Sequence, residues 1–188
     1  MSQALALSAE KLGCSERTLR RYVNEGLLRG RRVGSRLELS RAEEEYLERH
    51  WELLSRLRVA LRTEPAIRMA VLFGSTAIGE DDDSSDVDLL VVHRNPMPLG
   101  LAGVRLRLRR ALGRSVDVVD LDDAETMPTL LADVVSDGRV LVDRDGLWVP
   151  LCERRAEIFM AAEREDREVA ARAWAAVADA RKRIAAAA

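Results

Sequence analysis

The first forty residues alternate short apolar stripes with turn residues. Ala4–Leu12 has the spacing of an amphipathic helix, and a second helix is predicted to begin at Ser15, a residue type that caps helix N-termini. Residues 27–39 alternate apolar and polar positions on either side of a turn at 32–35, which predicts a small hairpin. The pattern predicts a helix-turn-helix followed by a wing.

A long helix is predicted next, from about Arg41 to Arg62. Ser40 and Glu43 have the spacing of a capping box at its start. One face of this helix carries an apolar stripe, formed by Leu47, His50, Trp51, Leu54, Leu57 and Leu61. The stripe fits two arrangements, a seam between two copies of the chain in a homodimer or packing on a second domain.

Beyond Pro65 the pattern changes to short, nearly continuous apolar runs, which are typical of buried strands. Strands are predicted at 67–73, 87–92, 115–121 and 139–143, with helices at 99–112, 122–136 and 150–184. The expected fold is α/β (α+β), a small mixed sheet flanked by helices. The domain boundaries follow as a winged helix-turn-helix at 1–40, a linking helix at 41–65, the α/β domain at 66–148 and a C-terminal helix at 149–188. In that last helix the expected packing residues are Ile158, Phe159, Trp174 and Val177.

Composition narrows the class of protein without defining its chemistry. Apolar residues make up 47% and charged residues 33% of the 188 residues, the balance of a globular protein. No apolar run approaches the roughly 18 residues of a membrane span, and the N-terminus lacks the features of a signal peptide. We therefore expect a cytoplasmic protein with no membrane partner. Cys14 and Cys152 share no metal-binding spacing and are expected to be free thiols.

Charge is distributed unevenly along the chain. Residues 11–36 contain eight basic and two acidic residues, a net charge of +6. Residues 80–88 contain six acidic residues and no basic residue. The first region suits a polyanion and the second suits a cation.

The candidate chemistry lies in Gly74-Ser75, followed after ten residues by Asp86-Val87-Asp88. Because side chains alternate along a strand, Asp86 and Asp88 are predicted on one face, about 6.5–7 Å apart, with Val87 in the core. Two carboxylates beside buried apolar residues are costly unless a cation compensates them. Mg²⁺, or Mn²⁺ in its place, is the expected partner, and it brings nucleotide phosphates with it.

The turn before these acids has the small residues that a phosphate requires. Gly74 allows close approach of the backbone, and Ser75 offers a hydroxyl and an amide. The candidate nucleotide-binding residues are Gly74, Ser75, Thr76 and Ser85, with Ser85 expected to support the carboxylates. The predicted ligand is ATP or another nucleoside triphosphate.

The stretch FGSTAIGEDDDSSDVDLLVV resembles the signature of the nucleotidyltransferase superfamily, in particular its minimal prokaryotic members. The resemblance covers roughly residues 66–148. It implies transfer of a nucleoside monophosphate to an acceptor hydroxyl, with Asp86 and Asp88 holding two Mg²⁺ ions. It also implies a third carboxylate, for which Asp117 fits best and Asp120 is the alternative.

The sequence departs from the family pattern in one place. Many members carry a basic residue near the position of Ile78, whereas here the turn is apolar and then acidic. Asp81–Asp83 would repel a triphosphate unless they face solvent. Residues 80–83 are accordingly interpreted as a solvated loop.

Residues 15–39 resemble the winged helix-turn-helix of MerR-type regulators, with a basic helix, Gly-Leu-Leu and a basic wing. The resemblance implies DNA binding through the major groove. Arg17, Arg20 and Arg21 are expected near bases or phosphates, and Arg31, Arg32 and Arg36 near backbone phosphates.

The sequence leaves three functions open. The first is an enzyme that transfers AMP or another NMP to a protein or RNA, as a toxin–antitoxin component with a small helical partner protein and an autoregulated operon. The second is a nucleotide-sensing transcriptional regulator whose nucleotidyltransferase domain is not catalytic. The third, ranked lowest, is modification of a small molecule such as an antibiotic.

Overall fold

The structure is a computed structural model, and it describes residues 3–34, 36–82, 84–94 and 100–186. Ser35 of the predicted turn, Asp83 of the acidic run and Leu99 at the predicted helix start lie outside the described residues. Within the described part of the chain, no helix combines the length and the apolar content needed to cross a membrane.

The N-terminal elements are two helices and a hairpin, in the order that the sequence predicts. The helices are α1 (Gln3–Lys11) and α2 (Glu16–Asn24), and the hairpin strands are β1 (Gly30–Val33) and β2 (Arg36–Leu39). Ser15 caps α2 by accepting a hydrogen bond from the Thr18 amide at 3.1 Å. The linking helix α3 (Arg41–Arg62) has 22 residues.

The remaining chain forms a four-stranded mixed sheet with helices on both faces. The strands are β3 (Ile67–Phe73), β4 (Val87–His93), β5 (Val116–Asp120) and β6 (Arg139–Asp143). Their order is β5-β4-β3-β6, with β4 and β5 parallel and the other pairs antiparallel. The helices are α4 (Gly74–Ile78), α5 (Gly100–Leu112), α6 (Leu121–Ala124), α7 (Pro128–Asp137), α8 (Trp148–Glu153) and α9 (Arg155–Ala186). The predicted fold class is confirmed.

The apolar stripe of α3 is used inside the chain. Leu47, Leu54, Leu57 and Leu61 are buried in the same cluster as Leu89 of β4. Buried leucines of α1, α2 and the hairpin join this cluster, so the N-terminal module and one sheet face share a hydrophobic core. Of the two predicted arrangements, packing on a second domain is therefore the one that uses this face.

Two predicted helices are divided in the structure. The helix expected at 122–136 consists of α6 and α7, because Pro128 lacks an amide donor and stands at the start of α7. The C-terminal helix consists of α8 and α9. Asp143 starts α8 two residues earlier than Pro150, because its carboxylate accepts hydrogen bonds from the amides of Leu147 and Trp148.

The predicted packing residues of the C-terminal helix also divide into two pairs. Ile158 is buried, and Phe159 packs beside it against the second face of the sheet. Trp174 is 72% exposed and Val177 is exposed as well, because α9 continues beyond the body that would cover them. The prediction that these last two residues pack was wrong for the isolated chain.

Candidate active site

Gly74 fixes the geometry of the candidate site, at the point where β3 ends. Its φ is +71°, in the left-handed region that favours glycine. A Cβ atom at this position would lie only 2.6 Å from Asp88 Oδ2. The missing side chain therefore leaves the space in which the Asp88 carboxylate lies against the turn.

The sheet register brings a second carboxylate beside Asp88. In the parallel pair of β4 and β5, Asp88 is directly opposite Asp117, so both residues belong to the same face. Asp120 belongs to the other face, where its Oδ2 lies 3.3 Å from His93 Nε2 and its Oδ1 caps α6. The geometry therefore groups Asp117, and not Asp120, with Asp88.

The grouped carboxylates raise the energy of their charged state. Burial raises the pKa of the Asp88 carboxyl, and the neighbouring carboxylates of Asp117 and Asp86 raise it further. Asp88 is half-buried and Asp86 is exposed. Three acids with mutual repulsion at the rim of a sheet form a site that favours a cation.

The acids are not arranged as a ready-made metal site. Asp117 Oδ1 lies 3.3 Å from Arg105 Nη2, so this carboxylate is directed to the guanidinium of α5. Across the described residues, no three acidic, histidine or cysteine side chains converge closely enough to hold a metal ion together. Asp86 and Asp88 supply the oxygen donors that Mg²⁺ prefers, and Asp117 would join them on leaving Arg105.

The predicted phosphate turn is a short helix, α4. The Ser75 carbonyl accepts hydrogen bonds from the amides of Gly79 and Glu80 at 2.9 and 3.0 Å, which closes the turn. Thr76 is buried, and its hydroxyl donates to the Asp86 carbonyl at 3.3 Å. Thr76 therefore joins the turn to the start of β4.

Ser85 has a different role from the predicted one. Its hydroxyl accepts from the Asp82 amide at 3.0 Å and donates to Asp82 Oδ1 at 3.1 Å. It therefore closes the loop before β4, and the predicted support of Asp86 and Asp88 by this hydroxyl is not seen. The reason is local, because Asp82 is the nearest acceptor within the same turn.

The acidic run at 80–83 is only partly a solvated loop. Glu80 and Asp82 are exposed as expected. The Asp81 side chain is only 6% exposed, with Oδ1 at 2.6 Å from His50 Nε2 and Oδ2 at 3.1 Å from Arg114. The interpretation as a solvated loop was wrong for Asp81, whose charge is neutralised by partners far away in the sequence.

Several side chains that shape the site were missed at the sequence level. They are Glu43, Arg105, Arg114 and Arg139, and they contact residues on distant elements. No sequence feature marked Arg139 as a site residue, since it stands at the start of an apolar strand. For His50, which contacts Asp81, a feature was present, because a histidine interrupts the apolar stripe of α3.

The predicted DNA-binding arginines lie on α2 and the wing. Arg17, Arg21, Arg31, Arg32 and Arg36 are exposed. Arg20 is half-exposed and pairs with Glu16 at 3.3 Å, within the same helix. The module therefore presents most of this positive charge to solvent.

Comparison with known proteins agrees with the geometry. Residues 56–146 match the family described as Polymerase beta, Nucleotidyltransferase. Together with the sheet topology, this match identifies the segment as a nucleotidyltransferase domain. The predicted enzyme class is confirmed at this level. None of the curated proteins matches the sequence.

Solved structures share the fold. A chain in the crystal structure of a toxin-antitoxin with AMP-PNP superposes with a TM-score of 0.53 at 23% identity, over 64% of this chain and 98% of that one. A chain of a tri-AMPylated Shewanella oneidensis HEPN toxin in complex with MNT antitoxin gives a TM-score of 0.50 at 21% identity, over 66% of this chain and 98% of that one. At such identities the likeness shows the fold.

Proposed function

We propose that the protein is a Mg²⁺-dependent nucleotidyltransferase that transfers an NMP, in the first instance AMP from ATP, to a protein or RNA acceptor. The observation that carries this proposal is the Asp88 carboxylate seated against Gly74 with Asp117 in register beside it. A half-buried acid next to two further acids destabilises the folded chain by charge repulsion and desolvation, and a bound cation would offset that destabilisation.

The residues divide the chemistry between them. The first amides of α4, at Gly74 and Ser75, would donate to an incoming phosphate, because the first amides of a helix have no acceptor within it. Asp86 and Asp88 are the proposed metal ligands, and bound Mg²⁺ would neutralise charge on the phosphates. Asp117 would accept the proton of the acceptor hydroxyl once it is freed from Arg105.

The proposed acceptor follows from the partner proteins in the similar solved structures. The two structures described above are toxin–antitoxin complexes, one with AMP-PNP and one with an AMPylated toxin. We therefore propose a protein acceptor, in the form of a small helical partner encoded beside this chain. The N-terminal module would bind DNA and regulate the same operon.

Label transfer tests the enzyme directly. The purified chain is incubated with α-labelled ATP, Mg²⁺ and the adjacent gene product, with Asp86→Ala and the exposed Asp123→Ala in parallel. We expect label on the partner with the unmodified chain and with Asp123→Ala, and none with Asp86→Ala. Equal labelling by Asp86→Ala would contradict the assignment of the metal acids.

Salt dependence tests the DNA-binding module. Each arginine that contacts a phosphate contributes about one unit to the slope of log K against log salt. Arg31→Ala with Arg36→Ala should lower that slope by about two on promoter DNA, measured by fluorescence anisotropy. An unchanged slope would exclude the wing as a phosphate-binding surface. Arg20→Ala with Arg21→Ala tests α2 in the same assay.

A further inference from the structure

The loop before Asp86 is held by Arg114, which stands just before β5. Arg114 donates to the carbonyls of Asp82 and Ser85 at 3.2 and 2.8 Å, and to Asp81 Oδ2 at 3.1 Å. Ser85 immediately precedes Asp86. This guanidinium therefore helps to fix the backbone directly before the proposed metal acid, together with the Thr76 hydroxyl, which donates to the Asp86 carbonyl.

Asp81 connects the same loop to the linking helix. Its second oxygen lies 2.6 Å from His50 Nε2, and His50 Nδ1 lies 3.0 Å from the Tyr46 carbonyl. Both ring nitrogens of His50 thus face oxygen acceptors inside the fold. The His50 ring also stacks on the Tyr46 ring, with 4.4 Å between their centroids.

Gly79, which ends α4, packs against the same side of α3. Its φ is +85°, and a Cβ atom there would lie 3.1 Å from the Tyr46 ring and 3.2 Å from Arg49 Nη2. The end of the phosphate turn is therefore in direct contact with the linking helix. His50 belongs to the same contact, since its Cε1 would lie 3.8 Å from that Cβ atom.

Arg139 extends these contacts to the N-terminal module. Its guanidinium lies 3.5 Å from the centroid of the Tyr46 ring and donates to the Ala77 carbonyl of α4 at 2.7 Å. It also forms a two-pronged ion pair with Glu43, at 2.7 and 2.9 Å. The Arg139 side chain is only 2% exposed.

The last contacts reach the residues that lead into the wing. Glu43 Oε1 accepts a hydrogen bond from the Arg29 amide at 3.0 Å, and Arg139 donates to the Leu27 carbonyl at 3.3 Å. Glu43 is the predicted capping-box residue of α3. Its carboxylate is used here, while Ser40 alone caps the helix by accepting from the Glu43 amide at 3.1 Å.

A series of contacts, polar except at the Tyr46 ring and mostly buried, thus joins residues 27–29 to the loop at 81–85. We call it the polar bridge, and its side chains are Glu43, Tyr46, His50, Asp81, Arg114 and Arg139. Buried charges separate only at high cost, so the two ends are expected to shift together. Apolar side chains of equal volume could fill the same space, but they would not hold the two ends in a fixed relative position. Positioning is therefore what the polar bridge adds beyond packing.

We infer that the polar bridge positions the nucleotide-binding turn and transmits its occupancy to the start of the wing. This inference rests on the proposed nucleotide site. It assigns Glu43, His50 and Arg139 as positioning residues, which act on the site through the backbone at Ala77 and Ser85. Nucleotide binding should then change the conformation of residues 26–30, and a change in that conformation should change nucleotide affinity by the same factor.

Amide hydrogen exchange on the full chain without nucleotide tests the positioning. Glu43→Leu with Arg139→Met removes both charges together, so that neither is left buried and unpaired. Tyr46→Phe is the matched control, because the Tyr46 hydroxyl is buried without a hydrogen-bond partner among the described residues while its ring makes the contacts. We expect exchange at 79–82 to accelerate about 5- to 150-fold in the double variant and to stay unchanged in the control. Unchanged exchange in the double variant would overturn the inference.

Addition of MgATP tests the transmission. In the unmodified chain, exchange should slow both at 74–79 and at 26–30, whereas the double variant should respond only at 74–79. A response at 74–79 without one at 26–30 in the unmodified chain would refute transmission and leave the proposed function intact. No response at either segment with saturating MgATP would count against the proposed function instead. The exchange at 79–82 without nucleotide, compared between the double variant and the unmodified chain, would then test the positioning role by itself.

Discussion

Asp81 and Asp88 lie seven positions apart in one acidic segment, and their environments are opposite. Burial works to raise the pKa of Asp81, but hydrogen bonds from His50 and Arg114 outweigh it and hold that pKa below the ordinary value. Burial also raises the pKa of Asp88, and there the neighbouring acids add to the effect. Asp81 has partners built into the fold, Arg114 and His50, whereas Asp88 has no ion-pair partner among the described residues.

The difference shows how to separate a structural acid from a ligand-binding one. The acids of the polar bridge are paired with arginine or histidine, so their charge is balanced before any ligand arrives. Asp88 is unbalanced, which is the state expected of a group that awaits a cation. Removal of charge should therefore have opposite consequences in the two places.

The largest effect is expected from Asp88→Asn. Metal ions supply several kcal/mol of charge stabilisation in phosphoryl-type transfer, so activity should fall by about 10³-fold or more. The fold should become more stable, by about 0.5–2 kcal/mol, because like-charge repulsion is removed. Label transfer and thermal unfolding measure the two effects. If Asp88→Asn lost stability as well as activity, Asp88 would be a structural acid like Asp81 rather than a metal ligand.

Arg139→Met should cause the largest loss of stability. It leaves Glu43 buried without its partner, which typically costs about 3–5 kcal/mol. Glu43→Leu combined with Arg139→Met should recover most of that loss, since no charge remains buried. Urea unfolding of the single and double variants gives the coupling between the two residues. A double variant no more stable than the single one would argue against a paired, structural role.

Gly74→Ala should cause a smaller, local loss. The left-handed backbone costs an alanine about 1–2 kcal/mol, and the new Cβ would also displace the Asp88 carboxylate. Gly113→Ala is the matched control, because Gly113 has the same φ of +71° and a Cβ atom there would meet nothing within 4 Å apart from its chain neighbours and its own helix. Calorimetric MgATP affinity should fall about tenfold or more only for Gly74→Ala. Equal affinities would remove Gly74 from the site.

The smallest effect is a pH dependence of opposite sign for the two acids. Because the pKa of Asp81 is lowered from 3.8, its stabilisation is present above pH 3.8 and is lost as the pH falls below it. Because the pKa of Asp88 is raised from 3.8, its charge destabilises the fold as the pH rises above that value. Melting temperatures between pH 3 and 7 should therefore show Asp81→Asn below and Asp88→Asn above the unmodified chain at neutral pH, with both differences shrinking in acid. If both variants changed the melting temperature in the same direction, the contrast between Asp81 and Asp88 would be wrong.

Local pattern was sufficient for most elements of the fold. The strands at Ile67–Phe73 and Arg139–Asp143 and the helix Arg41–Arg62 have the bounds that the sequence predicts. These segments have a clear apolar period and strong end signals, which act over a few residues. The helices expected at 122–136 and 150–184 were less well predicted, since each is divided where a turn or a distant cap intervenes.

The sequence by itself was enough to predict which residues meet at the rim of the sheet. β3 ends directly before Gly74-Ser75 and β4 begins directly after Asp86, so the antiparallel pairing of the two strands brings the glycine and the carboxylates together. The choice between Asp117 and Asp120 needed the register of β5, although the alternation of its faces was already readable.

Only the tertiary structure decided which acids are neutralised. Asp81 meets His50 and Arg114 across 31 and 33 positions of sequence, and Glu43 meets Arg139 across 96. No periodicity encodes such pairs, because they form where elements that are distant in sequence pack together. Burial and charge pairing are properties of that packing, and they distinguish Asp81, which is paired within the fold, from Asp88, which has no ion-pair partner among the described residues.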